Sequence, residues 1–324
     1  MSLHTTKLVG DIGGTNARFA LLNEFHQPIH TKTYAAAEYP SLADALRQYF
    51  ADLSIEPPRS ACIAVATRVL GDTIAFTNNE KWSFSVAELA KQLKIANLQV
   101  INDFTALALS VPHLAQDQLH KIGRGTVRAQ EPMGIVGPGT GFGVSGLIPM
   151  SENGQWRALN SEGGHTSASV LTEREMAVLE VFTQRFGHVS FERFLSGPGL
   201  VNIVTALRKI DGLPEAPYRP ETVTRDGLNS SDPHCVETLE LFCALLGSYA
   251  GDLALILGAS GGIYVGGGIV PRLGDFFANS AFRARFEAKG RVSDELVVVP
   301  TFVILDPYPG LIGAARVLYD LEKG

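Results

Sequence analysis

Lys7-Leu8-Val9-Gly10-Asp11-Ile12-Gly13-Gly14-Thr15-Asn16-Ala17-Arg18 is the stretch whose reading decides the fold. An apolar run reaches a carboxylate, turns through two glycines and leaves again over Ala17–Leu22, the pattern of two antiparallel strands joined by a tight turn. With strands predicted over Lys7–Asp11, Ala17–Leu22 and Ile29–Tyr34, the chain opens on a meander. The paired glycines permit positive φ, and backbone N–H groups exposed at such a turn form a concave anion site, to which Thr15 and Asn16 add side-chain donors. A plain hairpin needs the same residue types, so the tip alone leaves both readings open. Asp11 favours the anion site, because a carboxylate beside phosphates suits a water molecule of Mg²⁺.

Outward from this turn, a helical pattern opens at Pro40-Ser41 and runs through Leu53. Strands follow at Ala61–Ala66, Ile74–Phe76 and Leu98–Ile101, with a helix over Ser85–Leu93. Beyond Val111-Pro112 comes a second block, with strands near Ile135–Gly137, Gly143–Ile148, Gly262–Val265 and Leu296–Leu305. Helices are predicted there over Thr172–Phe186 and Pro233–Gly258, and a last one over Leu311–Leu321. The alternation makes this an α/β chain with two sheets and no solenoid repeat.

The 324 residues, 45% hydrophobic and 19% charged, suffice for about two domains of roughly 100–200 residues each. A formal net charge of −6, with no Lys/Arg run, argues against a nucleic-acid partner, since binding a phosphate backbone relies on clustered cations. Cys62, Cys235 and Cys243 form no CxxC pair, which suggests neither a disulfide framework nor a zinc site and fits a reducing cytoplasm. The polar start Met1–Thr6 has no signal-peptide pattern. The uncharged stretch Leu253–Pro271 has membrane-spanning length, but six glycines would break it as a helix, so no membrane segment is expected.

Further glycine clusters sit at Gly137-Pro138-Gly139-Thr140-Gly141-Phe142-Gly143, where the backbone could approach a ligand closely, and at Gly266-Gly267-Gly268, where close helix–strand packing is the alternative. Phe142 breaks GxGxxG and no GxxxxGK[ST] exists, which disfavours dinucleotide-binding dehydrogenases and Walker-type ATPases. Gly258-Ala259-Ser260-Gly261-Gly262 fits the hydrolase elbow, but that motif needs a strand before its serine and a helix after it, and here the order is reversed. Asn102-Asp103 stands at the C-terminal end of a predicted strand, where open α/β sheets bind ligands. Asp103 can equally be the N-cap of the helix Thr105–Leu109. Glu162-Gly163-Gly164-His165 and His188–Glu192 supply carboxylates and imidazoles able to bond hydroxyl groups.

In order and spacing, the Gly10–Arg18 turn, Ile101–Thr105, Gly137–Gly143, Glu162–His165, His188–Leu200 and Gly266–Arg272 resemble the bacterial glucokinase family. That resemblance implies a two-domain actin-like ATPase fold, of the ribonuclease H-like kind, with the active site in an inter-domain cleft. It implies a small domain of residues 1–111 completed by 301–324, a large domain of 112–300, and a cytoplasmic homodimer. By the same resemblance ATP and Mg²⁺ take part and glucose is the substrate, bound by Asn102, Asp103, Glu162, His165 and Glu192, with Asp103 as base. Gly13, Gly14, Thr15, Asn16, Gly139, Thr140 and Gly141 would hold the phosphates, Gly266, Gly267 and Gly268 the adenosine, and Asp11 would meet Mg²⁺ through water. Thr67-Arg68 and Thr166–Ser169 depart from the family pattern. Sugar-sensing regulators share this fold, but they need a DNA-binding module ahead of the first strand, which here begins by residue 7.

Overall fold

The computed structural model describes residues 7–76, 80–150 and 154–323, so the polar start Met1–Thr6 lies outside the described residues. Strands β1 (Lys7–Ile12), β2 (Asn16–Leu22) and β3 (Pro28–Ala35) form the expected antiparallel meander. Successive side chains point to opposite faces of a strand. Here Leu8, Ile12, Phe19 and Leu21 enter one apolar core, while Val9, Ala20 and Leu22 enter another. Burial on both faces is why β1 and β2 read as apolar runs with little alternation, whereas β3, at the sheet edge, is polar and only partly buried.

The chain continues through α1 (Leu42–Leu53), capped by Ser41, to β4 (Ser60–Val65). A small hairpin, β5 (Thr73–Ile74) with β6 (Phe84–Ser85), precedes α2 (Val86–Leu93), β7 (Asn97–Asn102) and α3 (Asp103–Ser110). The five-stranded sheet has the order β3-β2-β1-β4-β7, with β1, β4 and β7 parallel. Their register aligns Ile12, Val65 and Asn102 in one row at the C-terminal ends.

A second sheet follows. Its strands are β8 (Leu119–Ile122), β9 (Met133–Pro138), β10 (Phe142–Pro149), β11 (Trp156–Leu159) and, after four helices, β12 (Gly262–Val265). Those helices are α4 (Glu173–Phe186), α5 (Gly197–Ile210), α6 (Pro220–Leu228) and α7 (Pro233–Leu257). Four short helices come next: α8 (Val270–Leu273), α9 (Asp275–Ala278), α10 (Phe282–Glu287) and α11 (Ser293–Val297). Strand β13 (Thr301–Ile304) completes the six-stranded order β11-β10-β9-β12-β13-β8. Helix α7 is the one helix among the described residues long and apolar enough to cross a membrane, and most of it is buried in the core beneath this sheet.

Helix α12 (Pro309–Lys323) returns to the first sheet, where Leu311, Ala314, Ala315 and Leu318 cover Val9, Ala20, Leu22 and Cys62. The chain thus divides into one unit of Met1–Ala115 with Asp306–Gly324 and another of Gln116–Leu305. Helix α12 packs closely on α3, because a Cβ built on Gly313 would lie 1.7 Å from the Ala106 carbonyl oxygen.

The segment read as one strand over Leu296–Leu305 is in fact the end of α11, a turn and β13. The Arg283 guanidinium donates to the carbonyls of Leu296 at 3.0 Å, Val297 at 2.9 Å and Val299 at 2.8 Å. This satisfies the helix end and overrides the β-branched run of valines. Strand β13 pairs with β12 and β8, so residues 301–304 join the second sheet, whereas the sequence reading attached them to the C-terminal helix.

Candidate active site

In the first unit, Asp11 is the fifth residue of β1 and shares its face with Val9, the face that α12 covers. The antiparallel register sets it opposite Arg18, whose Nη1 approaches Asp11 Oδ2 at 3.4 Å. A Cβ on Gly310, in the first turn of α12, would lie 3.2 Å from the Asp11 carboxyl carbon. Burial raises the pKa of Asp11 above the ordinary carboxylate value, against the pull of Arg18. Sequence reasoning gave Arg18 no role, although the hairpin register already placed it opposite Asp11.

The turn beyond β1 is closed by Gly13 N–H donating to the Asn16 carbonyl at 2.9 Å, and Ala36 N–H donates to the Thr15 carbonyl at 2.9 Å. Gly14 and Thr15 stand exposed at the tip. Neither Gly13 nor Gly14 has a positive φ, so their value here is a tip free of side chains rather than a left-handed backbone.

At the edge of the same sheet, the structure separates two jobs that the sequence left joined at Asp103. Asn102 is the N-cap of α3, its Oδ1 accepting from Phe104 N–H at 2.9 Å and Thr105 N–H at 3.2 Å. Its Nδ2 donates to the Thr67 carbonyl at 3.2 Å and to Asp103 Oδ1 at 2.9 Å. Asp103 is the first residue of the helix, and its Oδ1 also accepts from Phe104 N–H at 2.9 Å. These contacts all fall on Oδ1 and fix the plane of the carboxylate. Burial, then the negative charge of Asp11, pushes the Asp103 carboxyl up to about 7, outweighing the hydrogen bonds from Phe104 and Asn102.

In the second unit, β9 and β10 join through Gly139-Thr140-Gly141, with Gly139 N–H donating to the Gly141 carbonyl at 2.8 Å. Thr140 is exposed at its tip. The Gly139 carbonyl accepts from Gly197 N–H at 2.8 Å, tying the turn to the start of α5. Gly267, after β12, has a φ of +79°, and a Cβ there would lie 2.4 Å from the Pro138 carbonyl oxygen. The second and third glycine clusters are therefore neighbours, and the bend at Gly267 packs its backbone on the end of β9 with no room for a side chain.

Glu162 precedes a short 3₁₀ turn, Gly163–His165. His165 Nε2 is 3.9 Å from Glu162 Oε2, and both side chains are about half exposed. The turn is pressed onto β10, since a Cβ on Gly164 would lie 1.9 Å from the Phe142 carbonyl oxygen. Glu192 lies on another 3₁₀ turn, Phe191–Arg193, and its Oε2 accepts from Phe142 N–H at 2.9 Å. Phe142 thus joins three predicted site elements, the glycine turn, Glu162–His165 and Glu192. No role was assigned to it from sequence, where it registered only as the residue that spoils GxGxxG. Among the described residues no cluster of three or more His, Cys, Asp or Glu side chains could hold a metal ion.

A family model described as glucokinase matches residues 8–321. The chain belongs to the glucokinase family. Among relatives, a glucokinase of Chromobacterium violaceum is 48% identical, over 97% of this chain and 89% of its own length. A glucokinase of Aromatoleum aromaticum is 46% identical, over 98% and 96%. A solved glucokinase structure from an Antarctic psychrotroph superposes with a TM-score of 0.87 at 34% identity, covering 97% of this chain and 99% of that one. Membership in the glucokinase family makes the chain an ATP-dependent sugar kinase, a phosphotransferase.

Proposed function

We propose that the chain transfers the γ-phosphoryl group of ATP to the 6-hydroxyl of D-glucose, with Asp103 as general base. The observation that carries this reading is the Asp103 carboxylate, held on Oδ1 at the C-terminal edge of parallel strands and kept basic by burial and by Asp11. Phosphoryl transfer asks a protein chiefly for positioning and charge neutralisation. As O6 attacks the γ-phosphorus, its proton passes to Asp103 Oδ2, and the β–γ bridging oxygen leaves with ADP.

In this reading the two units are the two domains. Asn102, Glu162, His165 and Glu192 hold the sugar hydroxyls. The Gly13–Asn16 and Gly139–Gly141 turns receive the phosphates, and Gly266–Gly268 lies under adenosine. Asp11 would accept hydrogen bonds from water on Mg²⁺ when the ion is bound. Its carboxylate fits this role, being half-buried at a strand end, with the Arg18 guanidinium at the long distance of 3.4 Å. When bound, the ion would neutralise phosphate charge. A cytoplasmic homodimer belongs to the same proposal.

Purified protein with Mg-ATP and a panel of glucose, mannose and fructose, followed by ADP release, tests the reading. Glucose is expected to give the highest kcat/KM, because a site built to bond each hydroxyl rejects analogues that leave its groups unpaired. Equal values across the panel would remove the selectivity, and no ADP with any sugar would remove the function.

A base works only when ionised. The kcat/KM for glucose is therefore expected to climb as pH rises through about 7, the value to which Asp103 is pushed. A limb near the ordinary carboxylate value of 3.8 would mean that burial and Asp11 do not govern this group.

A further inference from the structure

Two glycines of one turn have opposite surroundings. A Cβ built on Gly139 meets nothing within 4 Å, whereas one on Gly141 would lie 2.6 Å from Glu192 Oε2 and 3.5 Å from its carboxyl carbon. Neither residue has a positive φ, so backbone strain explains neither glycine. The space beside Gly141 is filled by the Glu192 carboxylate, which accepts from Phe142 N–H at 2.9 Å.

Glu192 is held at its backbone as well. Its carbonyl accepts from Ser196 Oγ at 2.8 Å, and the same hydroxyl caps α5 by accepting from Gly199 N–H at 3.0 Å. With the backbone fixed by the helix cap and one carboxylate oxygen fixed by Phe142, only the other oxygen is free to choose a partner. A methyl group at position 141 would push Oε2 away and break its bond to the N–H of Phe142, a residue only 4% exposed. The broken bond leaves a buried N–H unpaired, which costs the fold some stability, and the displaced carboxylate is lost to its ligand.

We infer that Gly141 is a positioning residue for the sugar site, acting through Glu192, while Gly139, two residues away, serves the nucleotide. The inference rests on the reading of Glu192 as a glucose ligand and revises the role proposed above for the Gly139–Gly141 turn, moving Gly141 from the phosphates to the sugar site and leaving Gly139 with the nucleotide.

The test measures glucose and Mg-ADP affinities by calorimetry, together with KM for each substrate and thermal melting, for Gly141→Ala and Gly139→Val. Gly141→Ala is expected to weaken glucose binding by at least about tenfold, the scale of one hydrogen bond to a charged group, with KM for ATP little changed. Gly139→Val is expected to do the reverse and to melt close to wild type, whereas Gly141→Ala should melt somewhat lower through the unpaired Phe142 N–H. Glu192→Asp draws the carboxylate back by one methylene, so in that background Gly141→Ala should cost no further glucose affinity. The double variant should therefore match Glu192→Asp alone in both melting and glucose affinity. A Gly141→Ala that raises KM for ATP and spares glucose overturns the inference, as does a loss that persists undiminished in the Glu192→Asp background. Wild-type protein that binds no glucose overturns the sugar-site reading itself, and the inference with it.

Discussion

Asp103→Asn is expected to lower kcat for glucose phosphorylation by at least about a hundredfold, the lower end of what general-base catalysis typically supplies. Asparagine keeps an oxygen to accept from Phe104 N–H and Asn102 Nδ2, so the start of α3 and the glucose affinity should survive. The helix cap cannot confuse the outcome, because Asn102 fills it. Stability moves the other way. The folded pKa of Asp103 is raised to about 7 from the ordinary 3.8, so the stability this group contributes is fully present below the ordinary value and lost as pH rises through about 7. Asparagine carries no charge to bury. The variant should therefore melt higher than wild type, by a margin that grows between about pH 4 and 7 and then levels off. The measurements are steady-state kcat with Mg-ATP, glucose calorimetry and melting across that range. Near-normal turnover would remove Asp103 as base and direct the search to Glu162 or Glu192.

Gly313→Ala is expected to lower the melting temperature by several degrees and to reduce kcat as well. Two effects compete. In a helix interior alanine is favoured over glycine by about 1 kcal/mol. Against this, the new Cβ would stand 1.7 Å from the Ala106 carbonyl oxygen and 2.5 Å from its carbon. Those are backbone atoms of α3, which no rotamer change can move. Overpacking costs typically about 1–3 kcal/mol, and a backbone clash of this depth belongs at the upper end, so the clash prevails. In a chain of this size each 1 kcal/mol shifts melting by roughly 2–4 °C. Helix α3 begins at Asp103, so separating α12 from α3 also disturbs the carboxylate. A melting temperature at or above wild type would show that helix propensity decides, and that the two helices have room to part.

Local signals made much of this molecule legible in its sequence. The Lys7–Arg18 hairpin, the cap at Ser41 and the apolar run from Pro233 are each specified by neighbours within a few residues, and each appears where that logic puts it. The reading failed where a distant group decides. Leu296-Val297-Val298-Val299 looks like a strand until Arg283 gathers its carbonyls. At the site, residue types were legible but their division of labour was not. Asn102 rather than Asp103 is the cap, and the neighbour that explains Gly141 stands fifty-one residues further along the chain.

The return of α12 to the first sheet also orders events in time. Val9, Ala20, Leu22 and Cys62 leave the ribosome early, but the helix that covers them emerges only after the whole second unit. At about 5–20 residues per second, synthesis of Gln116–Leu305 alone occupies on the order of ten to forty seconds. Throughout that interval one face of the nascent sheet stays open to solvent, together with the flank of α3 that Gly313 will meet. The second unit, continuous in sequence, can complete its own core first. The half that carries Asp103 closes only after Pro309–Lys323 has been made, so a ribosome stalled before Pro309 holds a chain in which the sheet beside that carboxylate lacks its cover.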